Sequence, residues 1–316
     1  MTGGENEKIS EDSMFKKTAQ RLYFLRWYAA ARFFGKRRPL QSVVAIGNAC
    51  NLRCKHCAVY PRKPEETLKK DYETVRRELE TCYKMGSRFV DFEGGEPFLW
   101  RDGERTVNDL FDLAREIGFY STTVTTNAQI PFEPCRSDLV WVSLDGVGKY
   151  HDLIRGPGAF DRMEKNVALS SHPCLNANMV INRYNWQAVE ETVQYIADHP
   201  KFRLLAVSFH TPFPGTEEMK LDWETRCKVI DLLAGLHKKG APLMNSRSGL
   251  LRLKDMSFKK QCWISNFTFP DGTFEPNCGG ERLGICEECG FGMAAEMIGL
   301  WNLNWETIRA GMKVRM

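Results

Sequence analysis

No apolar run in this 316-residue chain approaches the roughly 18 to 20 residues needed to cross a bilayer, and its N-terminus lacks the order of a signal peptide. The chain is therefore expected to stay in the cytoplasm, where thiols are kept reduced. That excludes a disulfide framework as the reason for its 11 cysteines, which read instead as metal ligands or core thiols. No Ser-His-Asp or paired-carboxylate arrangement emerges either. Acidic residues are missing altogether between Met14 and Leu40, a stretch that holds eight of the 44 Lys and Arg. The other 36 bases face 40 acids, so the basic character is local and does not describe a nucleic-acid groove across the fold.

What is present suits a globular protein: 43% apolar and 27% charged residues, enough for one large α/β domain with an appendage. Residues 1–13 are polar and expected to be mobile. Residues 14–34 have helical periodicity, with Phe15, Ala19, Leu22, Ala29 and Phe33 on one face, Lys17, Arg21 and Arg32 on another, and Gly35 as the stop. Phe24, Trp27, Tyr28 and Phe34 lie off that stripe, and Lys36, Arg37 and Arg38 follow. Two uses suit such a helix. It packs along the outside of the main domain, the commoner fate, or it rests in the headgroup region of an anionic bilayer through residues 14–38.

From residue 42 onward the pattern becomes strand, loop, helix, repeated. Strands are predicted at 42–46, 88–92, 121–125, 139–144, 176–181 and 204–209. Helices are predicted at 72–86, 106–117, 160–169, 187–197 and 223–238, several ended by a glycine. Six strands alternating with helices predict an α/β fold: a parallel sheet with helices outside, curved or barrel-like. In such folds the loops at the carboxyl ends of the strands build the site. The unusual residues fall there: three cysteines after the first strand, a double glycine after the second, Asn127 after the third and Asp145 after the fourth.

Cys50, Cys54 and Cys57 are spaced to close around one soft metal centre. Three thiols are one short of a tetrahedral zinc or a fully protein-bound cubane, so the spacing suggests an open coordination position. A zinc knuckle completed by His56 or a distant residue is the structural alternative. The run Gly94-Gly95-Glu96-Pro97 after the second strand is, taken alone, only a turn.

Together these two stretches resemble the radical SAM enzymes. The resemblance implies that Cys50, Cys54 and Cys57 hold a [4Fe-4S] cluster whose fourth iron takes S-adenosylmethionine (SAM). One electron, from a donor such as a flavodoxin or ferredoxin, then yields a 5′-deoxyadenosyl radical. It implies further that backbone groups of Gly94, Gly95 and Glu96, with Pro97 closing the motif, receive the methionine amino group, and that His56 stands near the adenine. The run from Ser143 to Gly146 with His151, Arg155 and Phe160 is similar to the SPASM and twitch group, which places Ser143 and Arg155 near the SAM ribose and carboxylate. A surface ion pair is the other reading of Arg155. Asn127, Asp145 and Asn182 are carried over as further cofactor contacts. Glu93, next to the double glycine, is the candidate general base, against a purely structural hydrogen-bonding role.

A second cysteine set follows: Cys262, then Gly272 and Cys278, then Cys286 and Cys289. Four thiols suit a structural zinc; the order also resembles the twitch subdomain, which implies one auxiliary [4Fe-4S] cluster acting as an electron relay. Cys82, Cys135, Cys174 and Cys227 lie outside both sets; Cys82 and Cys227 read as core thiols, and Cys135 and Cys174 are weighed as hydrogen donors. Residues 209–216, rich in turn formers, are expected to contact substrate, and a short helix with Trp301 and Trp305 to cover the second set.

The expectation is a partial (β/α)6 TIM-like barrel at 41–240, preceded by a tail and helix at 1–40 and followed by a twitch-like subdomain at 241–316. The resemblance implies SAM-dependent radical modification, with a peptide as the first substrate class and an isoprenoid or polycyclic lipid, or a small metabolite, as alternatives. A non-catalytic scaffold holding two zinc ions is the reading from another class.

Overall fold

The structure, a computed structural model, describes residues 3–57, 59, 64–278 and 280–314, with side chains from Thr18 onward except at Pro64. The expectations for residues 1 and 2 and for the side chains of Phe15 and Lys17 lie outside the described residues.

Helix α1 spans Gly3–Phe34 and so begins well before residue 14, drawing in most of the segment expected to be mobile. No proline interrupts that segment. The face it packs is not the predicted one. Trp27 and Ala31 are buried, with Tyr23, Phe24 and Tyr28 beside them, while Leu22, Leu25, Phe33 and Phe34 are 46, 69, 74 and 73% exposed. Phe24 stacks on Phe89 at 5.7 Å, Trp27 meets Trp263 at 5.7 Å and Tyr28 meets Trp301 at 5.7 Å between ring centroids. Aromatic rings each bury about 150 to 250 Å², so these off-stripe residues outcompete the alanines and leucine of the regular stripe for the sheet.

The main sheet follows as β1 (Gln41–Ala45), α2 (Tyr72–Met85), β2 (Phe89–Glu93), a small hairpin of β3 (Arg101–Asp102) and β4 (Arg105–Thr106), then α3 (Val107–Ile117), β5 (Ser121–Thr126) and β6 (Leu139–Ser143). It continues through α4 (Lys149–Arg155), α5 (Ala159–Leu169), β7 (Leu175–Ile181), α6 (Val189–Asp198), β8 (Phe202–Phe209) and α7 (Trp223–Lys238). All six predicted strands and the five predicted helices are present, each starting within two residues of its expected position. The helix starts are chemically marked: Asp71 caps α2, Thr106 and Asp109 form a capping box on α3, and Asp222 caps α7. Helix α4 was not foreseen, because seven residues between Gly148 and Gly156 are too few to show a period.

Strands β1, β2, β5, β6, β7 and β8 lie side by side in chain order, all parallel. Sequential order with right-handed crossovers sends every helix to the same face, so that face is convex and the other is the concave interior of an open barrel. The core accordingly sits between sheet and helices: Val90 and Phe92 of β2 meet Leu79 of α2 and Phe111 of α3, with Phe92 and Phe111 ring centroids 5.4 Å apart. Asp91 and Glu93, alternating with them, project to the concave side.

The last part of the chain adds α8 (Arg247–Arg252), β9 (Ser265–Thr268), β10 (Phe274–Glu275), α9 (Gly292–Trp301) and α10 (Trp305–Lys313). Strand β9 pairs in parallel with β1, so the region after residue 240 extends the main sheet directly. The single short helix expected around Trp301 and Trp305 is two helices, α9 ending at Trp301 and α10 starting at Trp305, with Trp305 exposed.

Candidate metal and cofactor centre

The loop after β1 carries Cys50, Cys54 and Cys57 and is held at three points. Cys57 N donates to Cys54 O at 3.1 Å, Lys55 N donates to Ile154 O of α4 at 3.0 Å, and Leu52 N donates to Cys50 Sγ at 3.4 Å. The loop after β2 lies directly on its root. Gly95 N donates to Gly47 O at 2.9 Å and Glu96 N to Ala49 O at 2.8 Å. A Cβ on Gly94 would stand 2.0 Å from Gly47 O, and one on Gly95 2.1 Å from Ala49 O. The glycine pair therefore serves first to let two loops touch, a use its sequence position alone does not reveal.

Glu96 ties a third strand end to these two. Its buried carboxylate accepts from Thr126 Oγ1 at 2.8 Å, Asn127 N at 2.8 Å and Phe98 N at 3.2 Å. Asn127, so fixed, donates from Nδ2 to Asn51 Oδ1 at 2.8 Å and to Cys50 Sγ at 3.5 Å. Burial pushes the Glu96 carboxyl up to about 7. Glu93 is likewise pushed up to about 7 by burial, with Asp91 adding to it.

On the opposite side stands a buried ion pair. Asp145, fully buried after β6, accepts from Arg155 Nε at 2.7 Å and from Val180 N at 3.0 Å, and Asn185 Nδ2 donates to its carbonyl at 2.8 Å. Arg155 Nη1 is 3.8 Å from Cys54 Sγ. Arg155 thus does form an ion pair, but inside the protein. His56 Nδ1 lies 3.8 Å from Asp145 Oδ2, outside hydrogen-bond range, and is buried with no partner. Burial pushes this imidazole down to about 4, so it is neutral at pH 7. Burial also pushes the Cys50 and Cys54 thiols up, Cys54 to about 11, so metal binding there must displace protons.

Ser143 closes β6 and Pro97 opens the turn after the double glycine; both are buried at the same carboxyl edge. Asn182 is not brought to the thiols: its amide accepts from Tyr184 N at 2.9 Å and donates to Val180 O at 3.1 Å, closing a turn after β7. Cys135 and Cys174 precede β6 and β7 and so stand at the amino edge, away from this centre.

Residues 44–196, the stretch that carries all of this, match the family model of the Radical SAM superfamily. That segment belongs to the radical SAM superfamily. Membership implies a SAM-binding [4Fe-4S] cluster. The chain is 26% identical over 232 residues to an Fe-coproporphyrin III synthase of Methanosarcina barkeri, covering 66% of this chain and 55% of that protein. It is 23% identical over 196 residues to a GTP 3',8-cyclase of Clostridium botulinum, covering 56% of this chain and 58% of that protein. It thus spans less than two thirds of either relative. Among solved structures, Streptococcus suis SuiB bound to its precursor peptide SuiA aligns with a TM-score of 0.60 at 17% identity, over 90% of this chain and 69% of that one. Native anSMEcpe with bound AdoMet aligns with a TM-score of 0.57 at 18% identity, over 75% of this chain and 74% of that one. These two likenesses are of fold.

The radical SAM region is flanked by the second cysteine set. Cys262 opens a short turn before β9, Cys278 follows β10, and Cys289 N donates to Cys286 O at 3.2 Å. Burial, then Cys278, Cys289 and Cys286, push the Cys262 thiol up to about 12. All four line one cavity of about 570 Å³, together with Trp263, Phe291 and Thr211 of the 209–216 segment. Among the described residues no three His, Cys, Asp or Glu side chains converge tightly enough to hold a single ion, in either set. Cys82 is buried in α2 and Cys227 half-buried in α7.

Proposed function

We propose that Cys50, Cys54 and Cys57 hold a [4Fe-4S] cluster with one iron open to SAM, and that the chain uses it to modify a peptide. The observation that carries the first half is the meeting, at the carboxyl edge of one parallel sheet, of the three-thiol loop with the Gly94-Gly95 loop and the Asp145-Arg155 pair. These residues fit such a group: the thiols share one loop, and His56 Nδ1 is a buried polar atom with no partner beside them. When bound, the cluster and SAM supply one-electron chemistry that the side chains lack. The chain's own part is to hold it: Asn127 and Arg155 set Cys50 and Cys54, neutral His56 offers a flat face to the adenine, Ser143 stands on the ribose side, and Glu93 exchanges a proton near neutral pH. Residues 41–240 form the radical SAM core, and Cys262, Cys278, Cys286 and Cys289 hold an auxiliary cluster. The four thiols line one cavity, which suits such a cluster.

The peptide reading is favoured by two of the similar folds, SuiB solved with precursor peptide SuiA and anSMEcpe with the Kp18Cys peptide. Anaerobically purified protein is expected to be brown, with about eight irons per chain, and to release 5′-deoxyadenosine from SAM when reduced by dithionite or flavodoxin. A colourless product that holds zinc and no iron would favour the zinc scaffold instead.

A specific observation favours a second contact. The outer face of α1 presents exposed Leu22, Leu25, Phe33 and Phe34 among Arg21, Arg26, Arg32 and Lys36, the composition of a helix lying on an anionic bilayer. No described helix is long and apolar enough to cross one. Vesicles containing phosphatidylserine should co-sediment the full chain and lose it when Leu25, Phe33 and Phe34 are replaced by Ser. Equal partitioning of the two proteins would remove this contact.

A further inference from the structure

Arg226, in the first turn of α7, is 4% exposed and yet has no carboxylate partner among the described residues. Its Nη2 donates to Cys289 O at 3.0 Å and meets Met256 Sδ at 3.5 Å, while its Nε is buried with no partner at all. Its guanidinium lies 4.8 Å from the ring centroids of both Phe209 and Trp223. Two acids line the small cavity beside it: Glu288 is bound by Lys220 at 2.6 Å, and Glu287 forms no ion pair with Arg226 among the described residues, while Asp222 caps α7 through Thr225 N at 2.8 Å. A cation in the first turn also faces the unfavourable end of the helix dipole. A buried charge so placed is costly unless an anion stands nearby.

We propose that Arg226 is the countercharge of the four-thiol centre, a positioning residue that holds the Cys289 arm by its carbonyl and raises the centre's reduction potential through space. This rests on the reading that Cys262, Cys278, Cys286 and Cys289 hold a [4Fe-4S] cluster. Four thiolates bring several negative charges to that cavity, and reduction by one electron adds another. A fixed cation in a poorly screened interior stabilises the reduced form more than the oxidised one. The two aromatic rings spread the charge without neutralising it. The guanidinium lies against both rings while donating to Cys289 O.

The test uses the full chain with Cys50, Cys54 and Cys57 replaced by Ala, so that any remaining cluster is the C-terminal one. This protein is expected to bind about four irons. Potentiometric titration followed by electron paramagnetic resonance should then give a lower midpoint potential for R226Q, and one close to the parent for R226K. An unchanged potential in R226Q, or equal lowering in R226Q and R226K, would overturn the proposal while leaving the cluster in place. Absence of iron from the triple variant would overturn the auxiliary-cluster reading, and this inference with it. If R226Q does not accumulate, R226M gives a second reading. It should raise the thermal midpoint of the metal-free protein, where the cation is uncompensated, and speed loss of iron to a chelator from the loaded one. A merely structural arginine would change both in the same sense, which would also overturn the proposal.

Discussion

Gly95→Ala is expected to abolish SAM cleavage almost completely, by at least about a hundredfold, because it drives the two loops of the centre apart. The added methyl would sit 2.1 Å from Ala49 O, 2.5 Å from Ala49 C and 2.6 Å from Asn48 O. All three are backbone atoms, and the chain there is tied down by the bonds from Gly95 N and Glu96 N to Gly47 O and Ala49 O. Neither side can yield by turning a rotamer. Relief requires the loops to separate by an ångström or more, which breaks those bonds and shifts the root of the cysteine loop. Overpacking of this kind costs about 1 to 3 kcal/mol, and each lost hydrogen bond about 1 more. Denaturant titration and 5′-deoxyadenosine release measure the two effects. Gly235→Ala, in the body of α7 with nothing within 4 Å, is the control and should be neutral or slightly stabilising. Wild-type turnover in the Gly95 variant would mean that the loops are not coupled in this way.

The strands were legible as short runs of apolar or β-branched residues, and the glycine stops and N-caps marked the helices. Their carboxyl ends could then be located, and with them the three cysteines, the glycine pair, Asn127 and Asp145. What could not be read was which atoms each residue spends on its neighbours. Glu96 was legible as part of a backbone motif, whereas its side chain binds Thr126, Asn127 and Phe98 across strands that are remote in sequence. Helix α1 misled for a related reason. Its regular stripe is genuinely apolar, but the partner surface of Phe89, Tyr120 and Trp263 is aromatic and selects Tyr23, Phe24 and Trp27. Strand β9 is four residues long, and its place beside β1 depends on a pairing with a strand more than 200 residues earlier, so no local signal announces it. Arg226 carried no sequence signal: one arginine in an amphipathic helix looks like any solvated base until burial is known.

Asp145→Asn is expected to cost about 3 to 5 kcal/mol, the largest single loss of stability in the centre, because it strands the Arg155 guanidinium inside the protein. The pair is well made: Nε to Oδ2 is 2.7 Å, Asp145 is fully buried and Arg155 is 8% exposed. Burial pushes the Asp145 carboxyl up, but Arg155 and then His56 and His151 outweigh it and hold the group below the usual carboxylate range. Its contribution is therefore fully present above the ordinary Asp pKa and is lost only as the pH falls through the lowered folded value. In the Asn variant that acid-induced loss should flatten, as seen in melts across the acid range. The double variant Asp145→Leu/Arg155→Met separates stability from function. Replacing a buried pair by apolar groups of similar size is often neutral, so most of the lost stability should return. Function should not, because nothing then lies 3.8 Å from Cys54 Sγ to favour its thiolate, and that thiol is otherwise pushed up to about 11. A double variant that regains stability and also loads iron at the parent rate would reduce the pair to a packing device; one that regains stability but loads iron slowly assigns Arg155 to the metal centre.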